Sequence, residues 1–175
     1  MYWVSGSYSG SINVNDGSRV MPESLDAPPF FTGSKMQNAW VEPPLKLSQG
    51  EIYDVMSYRP GAIVISKSAK TEIEPFIKDE VEFLPITMGE TIELYVINVI
   101  NVIDCLNFER SEVRFHADGK TVRTVRHYDF NLKRLSGVNL FKIPETKSAE
   151  ILCTPEFKKK LDGLSISGVK CVSVL

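Results

Sequence analysis

The chain has 175 residues, of which 43% are hydrophobic and 24% are charged, and its formal net charge is −2. This is an ordinary globular composition, and the chain is long enough to bury a core without metals or disulfides, so disorder throughout is excluded. The slightly negative charge argues against a general nucleic-acid-binding protein, which usually carries a clear positive excess.

The N-terminal third of the chain predicts little regular structure. Residues 1–8 resemble a short strand, and residues 9–38, rich in Ser, Gly, Pro and Asn, predict a long loop or arm. Within the arm we expect Phe30–Phe31 to anchor it to the body, the alternative being an exposed contact pair. Residues 39–47 are extended, and two prolines there allow at most an edge strand.

A strand–helix–strand unit follows. Ala62–Ile65 is a β-rich run, and Ser66 or Ser68 can cap the helix after it. Because Pro75 lacks an N–H and clashes with the preceding turn, the helix should be short or kinked near its end. Val81–Ile86 is the second strand of the unit.

The middle of the chain is rich in β-forming residues. Thr91–Val99 predicts a strand, and Glu112–Ala117 and Lys120–Tyr128 flank the dipeptide Asp118–Gly119. Asp-Gly between two such runs is a strong hairpin signal, because the turn requires positive φ. Asn139–Ile143 predicts a further strand.

The C-terminal part repeats the strand–helix–strand plan. Ile151–Cys153 is a strand, Thr154 a good N-cap and Pro155 a suitable first helical residue. Gly163 marks a plausible helix end, and Val169–Val174 forms the closing strand. The two units are either a weak internal duplication or independent uses of a common element.

These elements predict an α+β fold with a mixed, mostly antiparallel sheet and two short helices in strand–helix–strand units. We expect a single domain over residues 1–175. Residues 1–60 supply the first strand, the arm and the extended segment, and residues 60–175 supply the core.

Cysteine usage indicates the compartment. The chain has three cysteines and no recognisable secretory signal, which favours free thiols in a reducing environment. The longest apolar stretch, Leu94–Leu106, is too short and too polar to span a bilayer. We therefore expect a cytoplasmic protein with neither a membrane nor a nucleic acid as its partner.

Motifs for catalysis are weak. The segment Gly6–Gly10 has Tyr8 where a nucleophile elbow needs Ser, and the sequence contains neither a phosphate-binding Gly-rich loop nor a cysteine pair with zinc spacing. We accordingly expect no enzyme, no metal and no cofactor.

The best catalytic candidates are two His-x-Asp pairs, His116 with Asp118 and His127 with Asp129. Each pair shares a strand face and could hold a metal in a metal-assisted hydrolase. A hairpin tip at Asp118–Gly119 would, however, separate the two histidines by about 20 Å. Polar-face strand residues are the favoured interpretation.

Charge is segregated along the chain. The acidic region, residues 71–93, contains seven acids, which are Glu72, Glu74, Asp79, Glu80, Glu82, Glu90 and Glu93. The basic region, residues 110–134, contains seven bases, which are Arg110, Arg114, Lys120, Arg123, Arg126, Lys133 and Arg134. Either these faces are solvated or pair with each other, or they form a bipolar surface that steers a charged partner. A nucleic-acid or anion site on the basic hairpin is the weakest alternative.

Seven segments carry a resemblance to a known family, and they are Leu94–Val99, Val102–Asn107, Ile143–Leu152, Glu156–Lys158, Gly168–Lys170, Ile63–Ser66 and Val81–Ile86. Together they resemble the immunity protein 11 family of bacterial polymorphic toxin systems, over about residues 60–175. It implies a protein that binds a cognate toxin and occludes its active or substrate site, and it transfers no catalytic residue.

For such a partner the arm and the acidic region are the predicted contacts. The candidate partner-binding residues are Glu72, Glu74, Asp79, Glu80, Glu82, Phe30 and Phe31.

Overall fold

The computed structural model describes residues 2–3, 19–22, 31–41, 45–49, 51–89, 91–169 and 171–174. Its strands in chain order are β1 (Tyr2–Trp3), β2 (Arg19–Pro22), β3 (Leu45–Gln49), β4 (Val55–Arg59), β5 (Ala62–Ser66), β6 (Val81–Met88), β7 (Ile92–Val99), β8 (Glu112–Phe115), β9 (Val122–His127), β10 (Leu140–Phe141), β11 (Leu152–Cys153) and β12 (Val172–Ser173). Its α-helices are α1 (Lys67–Ile77) and α2 (Pro155–Asp162). The mostly antiparallel α+β class is confirmed.

The strands form three sheets. Six of them close on themselves in the order β2-β3-β6-β7-β5-β4, four form the sheet β10-β11-β1-β12, and β8 pairs with β9. Two expectations for the N-terminal part are wrong. The arm is not a loop throughout, because β2 lies within it, and β3 is not an edge strand, because it pairs with β2 and, at Leu45, with β6. Residues 9–18 and 23–30 of the arm lie outside the described residues.

Both faces of the closed sheet are apolar, and strand alternation divides them into two cores. On β5, Ile63 and Ile65 join the outer core, whereas Ala62 and Val64 join the inner one. The outer core lies under α1, α2 and the four-stranded sheet. The inner core is completed by Phe31, which packs edge-on against Tyr58 with 6.1 Å between ring centroids.

Helix α1 begins as the sequence predicts. Ser66 is the N-cap, and its hydroxyl accepts a hydrogen bond from the Ala69 amide at 3.1 Å. The helix is short, as expected, and it continues through Pro75 to Ile77. Pro75 removes only one intrahelical hydrogen bond, and buried Ile73 and Ile77 hold this turn against the core.

Helix α2 also follows its predicted signals. Thr154 accepts a hydrogen bond from the Phe157 amide at 3.4 Å, and Pro155 occupies the first turn. Gly163 follows the last helical residue, at φ −88°, so the helix ends there without a left-handed residue.

A buried lysine joins three separate segments. Lys142 is fully buried, and its amine donates to the backbone carbonyls of Phe31, Gly61 (2.7 Å) and Lys147 (2.9 Å). Gly61 lies at φ +75°, and a Cβ there would meet the Phe31 oxygen at 2.7 Å and the Lys142 amine at 2.9 Å. Glycine is therefore required where the β4–β5 turn meets this lysine.

Candidate functional site

Glu80, a predicted partner-binding residue, is used inside the protein. One carboxylate oxygen accepts from the Asn139 amide at 2.8 Å and the other from the Leu140 amide at 2.7 Å. Partial burial raises the pKa of Glu80, partly offset by these hydrogen bonds. The side chain therefore ties the α1–β6 turn to β10.

Glu82 has a similar internal role. Its carboxylate accepts from the Met36 amide at 2.7 Å, from the Gln37 amide at 3.3 Å and from the buried Asn98 amide group at 2.9 Å. It fastens residues 31–41 to the closed sheet.

The other acids of the acidic region differ in their ion pairing and in their exposure to solvent. Glu74 forms an ion pair with Lys70 at 2.7 Å, one helical turn away. Glu72 and Asp79 are exposed, and no cationic side chain among the described residues lies within ion-pair distance of either. Glu90 lies outside the described residues.

A polar cleft of about 500 Å³ lies beside two acids of the region, Asp79 and Glu82. Lys35, Gln37 and Lys78 also line it, so carboxylate, ammonium and amide groups face the same space. Such a lining suits a polar or charged side chain of a partner better than an apolar ligand. Residues 35–39 could not be predicted as part of a site, because they carry no periodic pattern.

Phe31 is not available to a partner. Its side chain is fully buried in the inner core, so the expected anchoring role is confirmed and its place among the contact residues is wrong. Phe30 lies outside the described residues.

The basic region includes the predicted hairpin, which β8 and β9 confirm. The His116 amide donates to the Thr121 carbonyl at 2.8 Å, so these residues face each other as expected. The connecting loop spans residues 117–120, and Gly119 supplies its positive φ of +64°. Across the described residues, each ion pair of the acidic or basic region is formed within that region or with a residue outside both regions. None joins the acidic region to the basic region.

The two histidines do not converge. Irregular pairing in β8–β9 places His127 opposite Glu112, about four residues or ~13 Å along the hairpin from His116, less than the expected ~20 Å. Both imidazoles are exposed. Asp118 is engaged by the Lys120 and Thr121 amides, both at 2.9 Å, and hydrogen bonds lower its pKa to about 2.

Possible metal ligands form no cluster within the described parts of the chain. No group of three or more His, Cys, Asp or Glu side chains there is placed to hold a metal ion. Cys105 and Cys153 are buried and Cys171 is half-buried, and all three are free. Burial raises the pKa of Cys105 to about 12, which disfavours its thiolate at neutral pH.

The described residues thus form an α+β protein. Their charged side chains lie at the surface or hold loops in place through hydrogen bonds. The sequence matches the model of an immunity protein family, Imm11, over residues 20–174. The chain belongs to this immunity protein family, which confirms the resemblance. No curated protein matches the sequence. Among the described residues, neither α-helix has the length and apolar character needed to cross a membrane.

Proposed function

We propose that this protein binds a cognate bacterial toxin and neutralises it by occluding its active site or the access of substrate. The observation that carries the proposal is membership of the immunity family across nearly the whole chain. A blocking protein works by shape and charge, and an interface of the usual size, on the order of 1,600 Å², would suffice. It needs no reaction of its own, and its odd number of cysteines suits a reducing cytoplasm.

One proposed contact surface is the part of the acidic region whose carboxylates reach solvent. Glu72, Glu74 and Asp79 face solvent in whole or in part, and Asp79 also lines the cleft. Glu80 and Glu82 support this surface from inside the protein, because their carboxylate oxygens accept hydrogen bonds from backbone amides. A basic side chain of the toxin could enter the cleft and meet Asp79.

Co-expression with the toxin encoded beside this gene tests the function. We expect the two proteins to copurify and growth to be restored. Failure of both would contradict the proposal.

Metal analysis of the purified protein tests the hydrolase alternative. We expect substoichiometric transition metal. A stoichiometric ion that is lost on His116→Ala or His127→Ala would favour the hydrolase instead.

A further inference from the structure

The β8–β9 hairpin meets the core along one side and belongs to neither of the larger sheets. Among the described strands, β8 and β9 pair only with each other. Between Phe108 and His127 most side chains are exposed, and Val125 is the single buried one. The hairpin therefore buries few side chains for its length. A role in binding explains its presence better than a role in packing the core.

Hydrogen bonds hold both ends of the hairpin in place. At its base, Asn107 donates to the Asp129 carboxylate at 3.1 Å, and the Asp129 amide donates to the Ser111 hydroxyl at 2.9 Å. At its tip, the Asp118 carboxylate accepts from the amides of Lys120 and Thr121. A surface element held in one conformation loses less entropy when it binds.

One side of the hairpin carries an apolar stripe that emerges from the core. Val113 pairs with buried Val125, and Phe115 pairs with half-buried Val122 one step nearer the tip. The Phe115 ring is 44% exposed, and Phe108 at the base is 47% exposed. Exposed aromatic rings on a rigid element are typical anchors of protein interfaces.

The hairpin also carries five cationic side chains. Arg110 pairs with Asp129 and Arg126 with Glu112, at 3.4 and 3.6 Å. For the other three bases on the hairpin, no carboxylate of the described residues lies within ion-pair distance. They are Arg114, Lys120 and Arg123.

We propose that the β8–β9 hairpin is a docking element for an acidic surface of a protein partner, with Phe115 as the anchor and Arg114, Lys120 and Arg123 as its charged rim. Naming the cognate toxin as that partner rests on the proposed function. The exposed rings, the acids Glu109 and Glu112 on the same hairpin and the net charge of −2 favour a protein over a nucleic acid.

Binding measurements on the full chain and the inactivated toxin domain encoded beside its gene test this proposal. The triple variant R114E/K120E/R123E should lose roughly 100-fold in affinity and Phe115→Ala about tenfold. The matched control K133E/K147E/K159E, which reverses three exposed lysines off the hairpin, should stay within about threefold of the wild type.

The outcomes separate the two proposals. If the wild type and both hairpin variants bind the toxin equally well, the docking role is wrong and the proposed function stands. If the wild type does not bind the toxin, both proposals fail. Binding of the wild type to a mixed-sequence DNA duplex, lost in the triple variant, would show that the hairpin serves nucleic acid and would overturn the protein-docking role.

Discussion

At the scale of single residues, Lys142 is the clearest internal support of the fold. Its amine donates to two buried carbonyls in distant segments, those of Phe31 and Gly61, and to the nearby Lys147 carbonyl, so Lys142→Met would remove this donor from all three. An unsatisfied buried acceptor costs about 1–3 kcal/mol, so we expect a loss of roughly 3 kcal/mol or more in the free energy of unfolding. Urea denaturation measures it, and Lys147→Met, at an exposed side chain, should change little. Equal stability of the two variants would contradict this role.

Glu150 should make stability depend on pH. Burial raises the pKa of its carboxyl group to about 7 from the ordinary value of 4.5, although the Tyr128 hydroxyl donates to it at 2.7 Å. Because the folded pKa is the higher one, its contribution is fully present below about pH 4.5 and is lost as pH rises to about 7.

Glu150→Gln removes this ionisation, so the variant should lose less stability than the wild type between pH 4.5 and 7. The difference should be at most roughly 3 kcal/mol. Urea unfolding at several pH values measures it, with Glu109→Gln, an exposed carboxylate, as the control. Parallel pH profiles for wild type and Glu150→Gln would rule the effect out.

At the scale of elements, local signals predicted local structure well. Ser66, Thr154 and the Asp118–Gly119 turn were identifiable because caps and tight turns depend on a few neighbouring residues. The closed sheet was not predictable, since β2 and β3 lie in segments without strong periodicity and are fixed by pairing with distant strands.

The candidate site was predicted only in part for a related reason. A run of acids looks alike in sequence whether its carboxylates face solvent or bind backbone amides. Glu72 and Asp79 face solvent, whereas Glu80 and Glu82 bind backbone amides 45 or more residues away in the sequence. Asn98 likewise donates to the Ser34 carbonyl, 64 residues away.

Glu82 should control the order of residues 31–41. Glu82→Ala removes the acceptor for the Met36 and Gln37 amides, so hydrogen exchange at these amides should accelerate at least about tenfold. Glu72→Ala, which removes an exposed carboxylate, should leave exchange unchanged. Unaltered exchange in Glu82→Ala would show that other contacts, such as the Trp40 indole donating to the Pro85 carbonyl at 2.7 Å, hold the segment alone.

At the scale of the whole molecule, the segregated charges are only partly neutralised by ion pairs. Among the described residues without an ion pair, the acidic region has Glu72, Asp79, Glu80 and Glu82, and the basic region has Arg114, Lys120, Arg123 and Lys133. The field felt by an approaching partner is thus set more by the hairpin than by the nearly neutral net charge of −2.

The bases on the hairpin that have no ion pair predict how the complex with the toxin should form. Raising NaCl from about 50 to about 500 mM should slow association roughly tenfold and change dissociation little, because salt screens long-range steering more than close contacts. In R114E/K120E/R123E the association rate should be slow and nearly independent of salt, whereas K133E/K147E/K159E should keep the wild-type slope. Stopped-flow mixing gives both rates. Equal slopes in all three proteins would place the steering charges elsewhere on the surface.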